Sequence, residues 1–341
     1  MKHLPSMELE STVKRCVIFP GALGDFVCFL PALRFLSAGG DVDLFARSEF
    51  AAIAPGTVRV HSIERYEIAR LFAAGAANED RILRFFRGYS GLYSWHGSHA
   101  VEFAGAVKSL FGEHGHVFPF YPTVQTMHQA DYYQSCVCEG KAPRLPPIRI
   151  RPDSMAWAAD YLRHHGLEKQ PILGIAPGSG AREKNWPAEY FSQVAEWWRE
   201  EVCGAVILFL GPVEEERTEL RRLRKKALIA ENLPLDRLAA LLRTLDVYLG
   251  NDSGVTHLAA AAGVSTMALF GPSAVARWAP RGPRVSVITQ NVDCSPCSRA
   301  VMKSCEHHRC LATLAPSQVI RSLKNVWSEP NLTREKAATR V

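Results

Sequence analysis

Apolar positions along the chain switch repeatedly between two periods. Four apolar residues run without a break from Cys16 to Phe19, as expected of a buried strand, and the run ends in the turn Pro20-Gly21-Ala22-Leu23-Gly24. Phe26, Phe29, Leu30, Leu33 and Leu36 then recur at helical spacing, with Asp25 placed to cap the start, Gly39-Gly40 to stop it and Pro31 predicting a kink. Val42 to Ala46 reads as the next strand, and a strand-helix-strand order implies a parallel sheet. The stretch KAPRLPPIRIRP, Lys141 to Pro152, is rich in proline and too poor in backbone donors for a core element. It suggests a boundary between a domain of residues 1–150 and one of residues 151–341. Beyond it the alternation restarts, with strands expected at Ile172 to Ala176, Ala205 to Leu210, Asp246 to Leu249 and Thr266 to Phe270. Helices are expected at Pro187 to Glu201, Glu214 to Lys226, Leu235 to Thr244 and Val255 to Ala262. The pattern is that of two doubly wound α/β domains, whose ligands bind in the loops after the strands.

Composition narrows the class. The 341 residues are 47% hydrophobic and 22% charged, which excludes a disordered or fibrous chain and suffices for two self-supporting cores. A net charge of +6 with interspersed signs suits an anionic substrate or a membrane surface, and nothing demands nucleic acid. The first fifteen residues, MKHLPSMELESTVKR, contain two glutamates and no apolar core, so no secretory signal is expected, and no apolar run is long enough to span a bilayer. Nine cysteines, an odd number and mostly scattered, point to a reducing cytoplasm.

Two loops of the second half carry candidate chemistry. In APGSGAREKNWP, Gly178, Ser179 and Gly180 let backbone N–H groups approach a phosphate and Lys184 adds a point charge, although an ordinary glycine-rich connection with a solvated lysine would look alike. In GNDSGVTH, Ser253, Gly254 and Thr256 leave N–H groups free at a positive helix end, with His257 one turn on. Together these loops suit a diphosphate; a plain N-cap beside a partly buried histidine is the bland alternative. The dinucleotide pattern lacks its third glycine, because Glu183 stands there. In the first half, Asp25 is either a cap or a general base for a hydroxyl, and a helix N-terminus would keep it ionised but weakly basic.

Weaker signals remain. Cys294, Cys297, Cys305 and Cys310, with His307 and His308 among them, have the composition of a structural zinc or iron site, or are simply reduced thiols in a loop. Arg81, Arg84 and Arg87 repeat every third residue and can face an anionic acceptor or form a solvated helix face. His96, in Trp95-His96-Gly97-Ser98-His99, follows an expected strand and is a further acceptor-side candidate.

The order GxLGDxxxxLPAL (Gly21 to Leu33), PGSGxxxKxWPxExF (Pro177 to Phe191), NDSGxxHLAAAxG (Asn251 to Gly263) and FGP (Phe270 to Pro272) resembles the family 9 glycosyltransferases. These are the ADP-heptose:lipopolysaccharide heptosyltransferases and their relatives, and the chain is most similar to the heptosyltransferase II type. The resemblance implies a GT-B fold of two facing Rossmann-like domains about a cleft, with the acceptor on the N-terminal and the donor on the C-terminal domain. It implies heptose transfer from ADP-heptose to an anionic, lipid-linked inner-core acceptor, with inversion and without a required metal or cofactor. It further implies work in the cytoplasm, peripherally at the inner membrane face. Residue by residue, it makes Asp25 the base, gives Lys184, Ser253, Gly254 and His257 the diphosphate, and turns Asp252 to the donor sugar; Ser179, from the glycine-rich loop, stands beside them as a donor-binding candidate. Glu215 would bind the ribose, with Glu214 and Glu216 blurring the register. A protein or other glycan acceptor, a GT-B nucleotide-sugar epimerase, and a metal or redox module built on the cysteines are the alternatives.

Overall fold

The computed structural model of the chain describes residues 13–122, 126–139, 147–211 and 218–328. It divides into two compact units that interleave in sequence. The first gathers the chain up to Pro20, Ala32–Tyr121 and Cys136–Glu139; the second gathers Gly21–Pro31, Pro122–Ser135 and the chain from Gly140 onward.

The first unit is built on five parallel strands, β1 (Lys14–Ile18), β2 (Asp41–Ala46), β3 (Val58–Ser62), β4 (Gly91–Ser94) and β5 (Gly115–Val117), in the order β3-β2-β1-β4-β5. The apolar run at Cys16 becomes the central strand because both its faces need cover. Cys16, Ile18, Phe45 and Leu92 pack on Ile82 and Phe86 of helix Asp80–Phe86 and on Phe103 and Val107 of helix Val101–Phe111. Strand β2 also buries a carboxylate, Asp43, which accepts from Lys14 Nζ at 2.7 Å, Tyr89 Oη at 2.7 Å and Arg59 Nε at 3.0 Å, with His61 Nε2 at 3.3 Å. Burial alone would push its pKa up; these donors hold it well below the usual carboxylate range.

The second unit carries six parallel strands, β6 (Ile172–Ala176), β7 (Ala205–Leu210), β8 (Leu228–Glu231), β9 (Val247–Asn251), β10 (Ser265–Phe270) and β11 (Val285–Thr289), in the order β11-β10-β9-β6-β7-β8. The order reverses between β6 and β9, which is where a doubly wound sheet offers a crevice. Trp186, Phe191 and Trp198 form its core with Leu173, Leu208, Leu249, Leu311 and Val319.

Both expected sheets are present, and β6 and β7 span the residues expected from the sequence. Helix Leu23–Ala38 runs on through Pro31. In the region of the helix expected at Glu214 to Lys226, the described part is a 3-10 turn, Thr218–Leu220, and a short helix, Arg221–Arg224, followed by β8. Among Thr218 to Lys226 the apolar residues are Leu220 and Leu223, too few to fasten a long helix to the sheet. No helix among the described residues is long and apolar enough to cross a membrane.

Candidate active site

The carboxyl ends of β6 and β9, neighbours in the second sheet, deliver both phosphate-suited loops to one place. Asn251, fully buried at the end of β9, fastens them together: its Oδ1 accepts from the Trp186 backbone N–H at 3.0 Å and its Nδ2 donates to Pro177 O at 2.8 Å. Ser179 Oγ lies 2.6 Å from Ala181 O and 2.8 Å from Asn185 Oδ1, so the tip of the first loop is internally tied. On the second loop Ser253 caps helix Gly254–Ala261 by accepting from Thr256 N, and Thr256 Oγ1 lies 3.0 Å from the buried Tyr248 hydroxyl. This cap fixes where the positive end of the helix points.

Two helix N-termini meet here within the second unit. A Cβ on Gly24 would lie 3.5 Å from Gly254 Cα and one on Gly254 would lie 3.1 Å from Gly24 N. A side chain on Gly254 would also press on Leu23 Cβ at 3.0 Å, so it is the glycine at 254 that lets the two helix starts, each with backbone N–H groups suited to an anion, come this close.

The charges gathered there are Lys184, Asp252, Asp25 and Arg277. Lys184 Nζ lies 2.7 Å from Oδ2 of the buried Asp252. Asp25 stands in the first turn of its helix and its Oδ2 accepts from Ala22 N at 3.3 Å, reaching back to the helix start rather than occupying the cap. Burial raises its pKa to about 6, against the pull of that N–H and of the Lys184 and Arg277 charges. The helix terminus was expected to keep this carboxylate weakly basic, but desolvation outweighs it. Burial likewise drives His257 down to about 4, with Asp252 opposing and His128 and Lys184 assisting, so its imidazole is neutral at pH 7. It serves as a hydrogen-bonding group and not as a charge; its Nδ1 sits 3.8 Å from Cys28 Sγ.

The family model for glycosyltransferase family 9 (heptosyltransferase) matches residues 88–307, more than half of the chain. The chain belongs to glycosyltransferase family 9. A lipooligosaccharide heptosyltransferase 2 of Campylobacter jejuni is 30% identical over 171 residues, 47% of this chain and 52% of that protein. The chain thus spans about half the length of the curated relatives it matches. Among solved structures, a family 9 glycosyltransferase from Veillonella parvula has a TM-score of 0.73 at 20% identity, covering 95% of this chain and 99% of its own. The E. coli ADP-heptose LPS heptosyltransferase II has a TM-score of 0.69 at 19% identity, covering 92% and 98%. The fold of this family 9 member is therefore GT-B.

Of the family 9 motif residues, Asp25, Ser179, Lys184, Asp252, Ser253, Gly254 and His257 all lie in the second unit, while Glu215 lies outside the described residues. Sequence reasoning passed over Asn251 and Arg277. Asn251 stood inside the quoted motif as its first letter; Arg277 follows FGP and is placed by tertiary contacts. The Arg277 guanidinium is buried 4.9 Å from the Trp278 ring centroid with Nη2 3.5 Å from Gln129 Oε1. In the first unit Arg81 donates to Glu67 at 2.9 Å and lies 4.3 Å from the Tyr66 ring centroid, Arg84 donates to Asp80 O at 3.1 Å, and Arg87 is exposed at the helix end. His96 is half-buried against Phe72, apart from that stripe. Cys294, Cys297, Cys305 and Cys310 line one small pocket with His307 and His308, and all four are free thiols. Among the described residues no group of three or more His, Cys, Asp or Glu is placed to hold a metal ion, so the ligand set that the spacing allowed is not assembled. Cys297 Sγ is 3.0 Å from Cys294 O, and burial with the neighbouring cysteines raises the Cys297 and Cys310 thiols above the usual range.

Proposed function

We propose that the chain is an inverting heptosyltransferase that moves a heptose from ADP-heptose to a hydroxyl of the lipopolysaccharide inner core. One observation carries this: a carboxylate with a pKa near 6, Asp25, lies within the same unit as Lys184, Arg277 and two abutting helix N-termini. In this reading Asp25 takes the proton of the acceptor hydroxyl while the hydroxyl oxygen bonds to the anomeric carbon. The bond from that carbon to the diphosphate oxygen breaks, ADP leaves with the electron pair on the opposite face, and the configuration inverts. A pKa near 6 leaves Asp25 ionised at pH 7 yet closer to neutrality than an ordinary carboxylate, as a general base requires.

Charge developing on the departing ADP meets fixed groups: Lys184, the helix end at Ser253 and Gly254, and a hydrogen bond from His257. Because Lys184 rests on Asp252, the incoming diphosphate shares that ammonium with a carboxylate instead of meeting a free cation. The reading assigns the transfer itself to side chains and backbone, with no cofactor, and places Glu215 at the ribose. The acceptor is a lipid-linked anionic oligosaccharide met at the cytoplasmic face of the inner membrane, towards which a net charge of +6 favours approach.

Mass spectrometry of the full chain incubated with nucleotide sugars and truncated core acceptors tests this. Heptose added to a core acceptor only when ADP-heptose is present is the expected result. Conversion of the donor with no acceptor present would replace the transferase by an epimerase, and labelling of a protein or another glycan would replace the acceptor.

A further inference from the structure

The hydrogen bond that His257 can give a diphosphate depends on which ring nitrogen carries the proton. A neutral imidazole has one donor and one acceptor nitrogen, and the partner of one decides the character of the other. His257 is neutral at pH 7, because burial lowers its pKa to about 4. Its two ring edges face different surroundings. Cδ2, the carbon bonded to Nε2, lies 3.4 Å from where a Cβ on Gly24 would stand, so this edge turns to the meeting of the two helix starts. Nδ1, on the other edge, lies 3.8 Å from Cys28 Sγ.

Cys28 follows Gly24 by one turn on helix Leu23–Ala38 and stands on the same face of it. It fills an open position of GxLGDxxxxLPAL, where the motif asks for no particular residue. The contact is closed to water, with Cys28 5% and His257 4% exposed. Burial, with Asp25 nearby, pushes the thiol far above its usual pKa, so the sulfur keeps its proton. Among the described residues that proton has no acceptor other than Nδ1. With the opposite polarity, Nδ1–H would point at a weak sulfur acceptor and the S–H would be left buried without a partner, which is the costlier arrangement. The thiol therefore donates, Nδ1 accepts, and the ring proton sits on Nε2. His128, in the same unit, obeys the same logic with backbone partners: its Nδ1 accepts from Ala130 N at 3.1 Å and its Nε2 donates to Ala279 O at 2.9 Å.

We propose that Cys28 is a positioning residue that holds His257 in the Nε2–H tautomer, so that Nε2 is the donor to the diphosphate of the nucleotide. That a diphosphate meets Nε2 rests on the transfer proposed above; the tautomer rests on the contact with Cys28.

Proton–nitrogen correlation NMR of the full chain, isotope-labelled at histidine, reads the tautomer directly at pH 7. His257 is assigned by the signal lost in His257→Gln, and His128 is the reference for a proton on Nε2. The unaltered chain is expected to match that reference, which needs no variant to fold. Cys28→Val, which fills the space without a donor, should move the Nδ1 resonance and admit the Nδ1–H form, and should raise the Kd of ADP about three- to tenfold in calorimetry. Cys28→Ala reads the same change without added branching. Cys28→Ser, which restores a donor, should recover most of both readouts. A proton on Nδ1 in the unaltered chain, a His257 spectrum indifferent to the valine and alanine variants, or an altered tautomer with unchanged ADP affinity would overturn the proposal. Losses that serine fails to recover would reduce Cys28 to packing and overturn it too. Heptose transfer is assayed separately: its absence, with the tautomer and its response to Cys28 intact, would remove the heptosyltransferase reading alone.

Discussion

The strand ends of the two units solve different problems. In the second unit, the loops after β6 and β9 are held by groups that water does not reach: Asn251 and Thr256 are fully buried, and each bonds backbone as well as side chains. In the first unit, a pocket after β2 and β3 is lined by exposed side chains, Arg47, Glu49, Ser62 and Glu64, on turns with few buried anchors. A diphosphate is recognised by backbone N–H groups and needs the backbone fixed to within tenths of an ångström; exposed side chains on turns can adjust. The difference predicts that substitutions at the second unit's loops act on folding and binding together, whereas those at the first unit's pocket leave folding unchanged.

The largest expected effect is at Asp25. Asp25→Asn should cut kcat by about 10^2 to 10^4 fold with ADP affinity unchanged. Its pKa is raised in the folded chain from 3.8 to about 6, so the protonated form is favoured by folding and stability is lost as pH rises through that window. The amide escapes that loss, and thermal melting at pH 7 should show a Tm equal to or above that of the unaltered chain. Retention of more than about a tenth of the turnover would remove the base role.

Next comes the buried clamp. Asn251→Ala strips partners from the Trp186 N–H and the Pro177 carbonyl, at about 1 to 3 kcal/mol each, so urea unfolding should show a loss of about 2 to 6 kcal/mol. Ser62→Ala, its counterpart in the first unit's pocket, should stay within about 0.5 kcal/mol as an exposed substitution. Equal losses at the two positions would erase the contrast between the units.

Lys184→Ala should weaken ADP binding by about 1.5 to 3 kcal/mol in calorimetry, as for a lost charge-assisted hydrogen bond. Asp252→Asn frees the same ammonium from its partner and should move ADP affinity the opposite way. A wild-type ADP affinity in the alanine variant would take the lysine out of the site.

The pH profile discriminates more finely. kcat/KM should fall on the acid side with a midpoint near 6, as Asp25 takes up its proton. His257→Gln should leave that limb in place and cost less than about tenfold, because an imidazole with a pKa near 4 carries no charge to lose at neutral pH. A limb that vanishes with His257 would transfer the titration to the histidine.

The smallest effect is expected from chelation. EDTA should leave turnover within about twofold, since fixed protein groups meet the leaving diphosphate. Loss restored by Mg2+ would contradict that. A fall in Tm restored by zinc or iron would place a structural ion at Cys294, Cys297, Cys305 and Cys310 without touching the transfer chemistry.

The alternation of buried runs and helical periods was enough to give the parallel α/β class, because a strand covered on both faces must be apolar, as β6 and β7 are throughout and β1 is from Cys16 on. Edge strands escaped it: β8 and β11 carry no fully buried run and owe their pairing to the neighbouring strand. The phosphate-suited loops were legible because backbone recognition demands glycines and small residues at fixed spacing, which leaves a trace in the sequence. The pocket in the first unit leaves none, since exposed Arg, Glu and Ser are ordinary on any surface and only the fold gathers them at the strand ends. Charge states were likewise decided in three dimensions. A histidine after NDSG and an aspartate after LG look like an ordinary cation and an ordinary carboxylate. Burial makes the first neutral and lifts the second towards neutral pH, because desolvation depends on which groups the folded chain packs around each, and a linear motif does not carry that information.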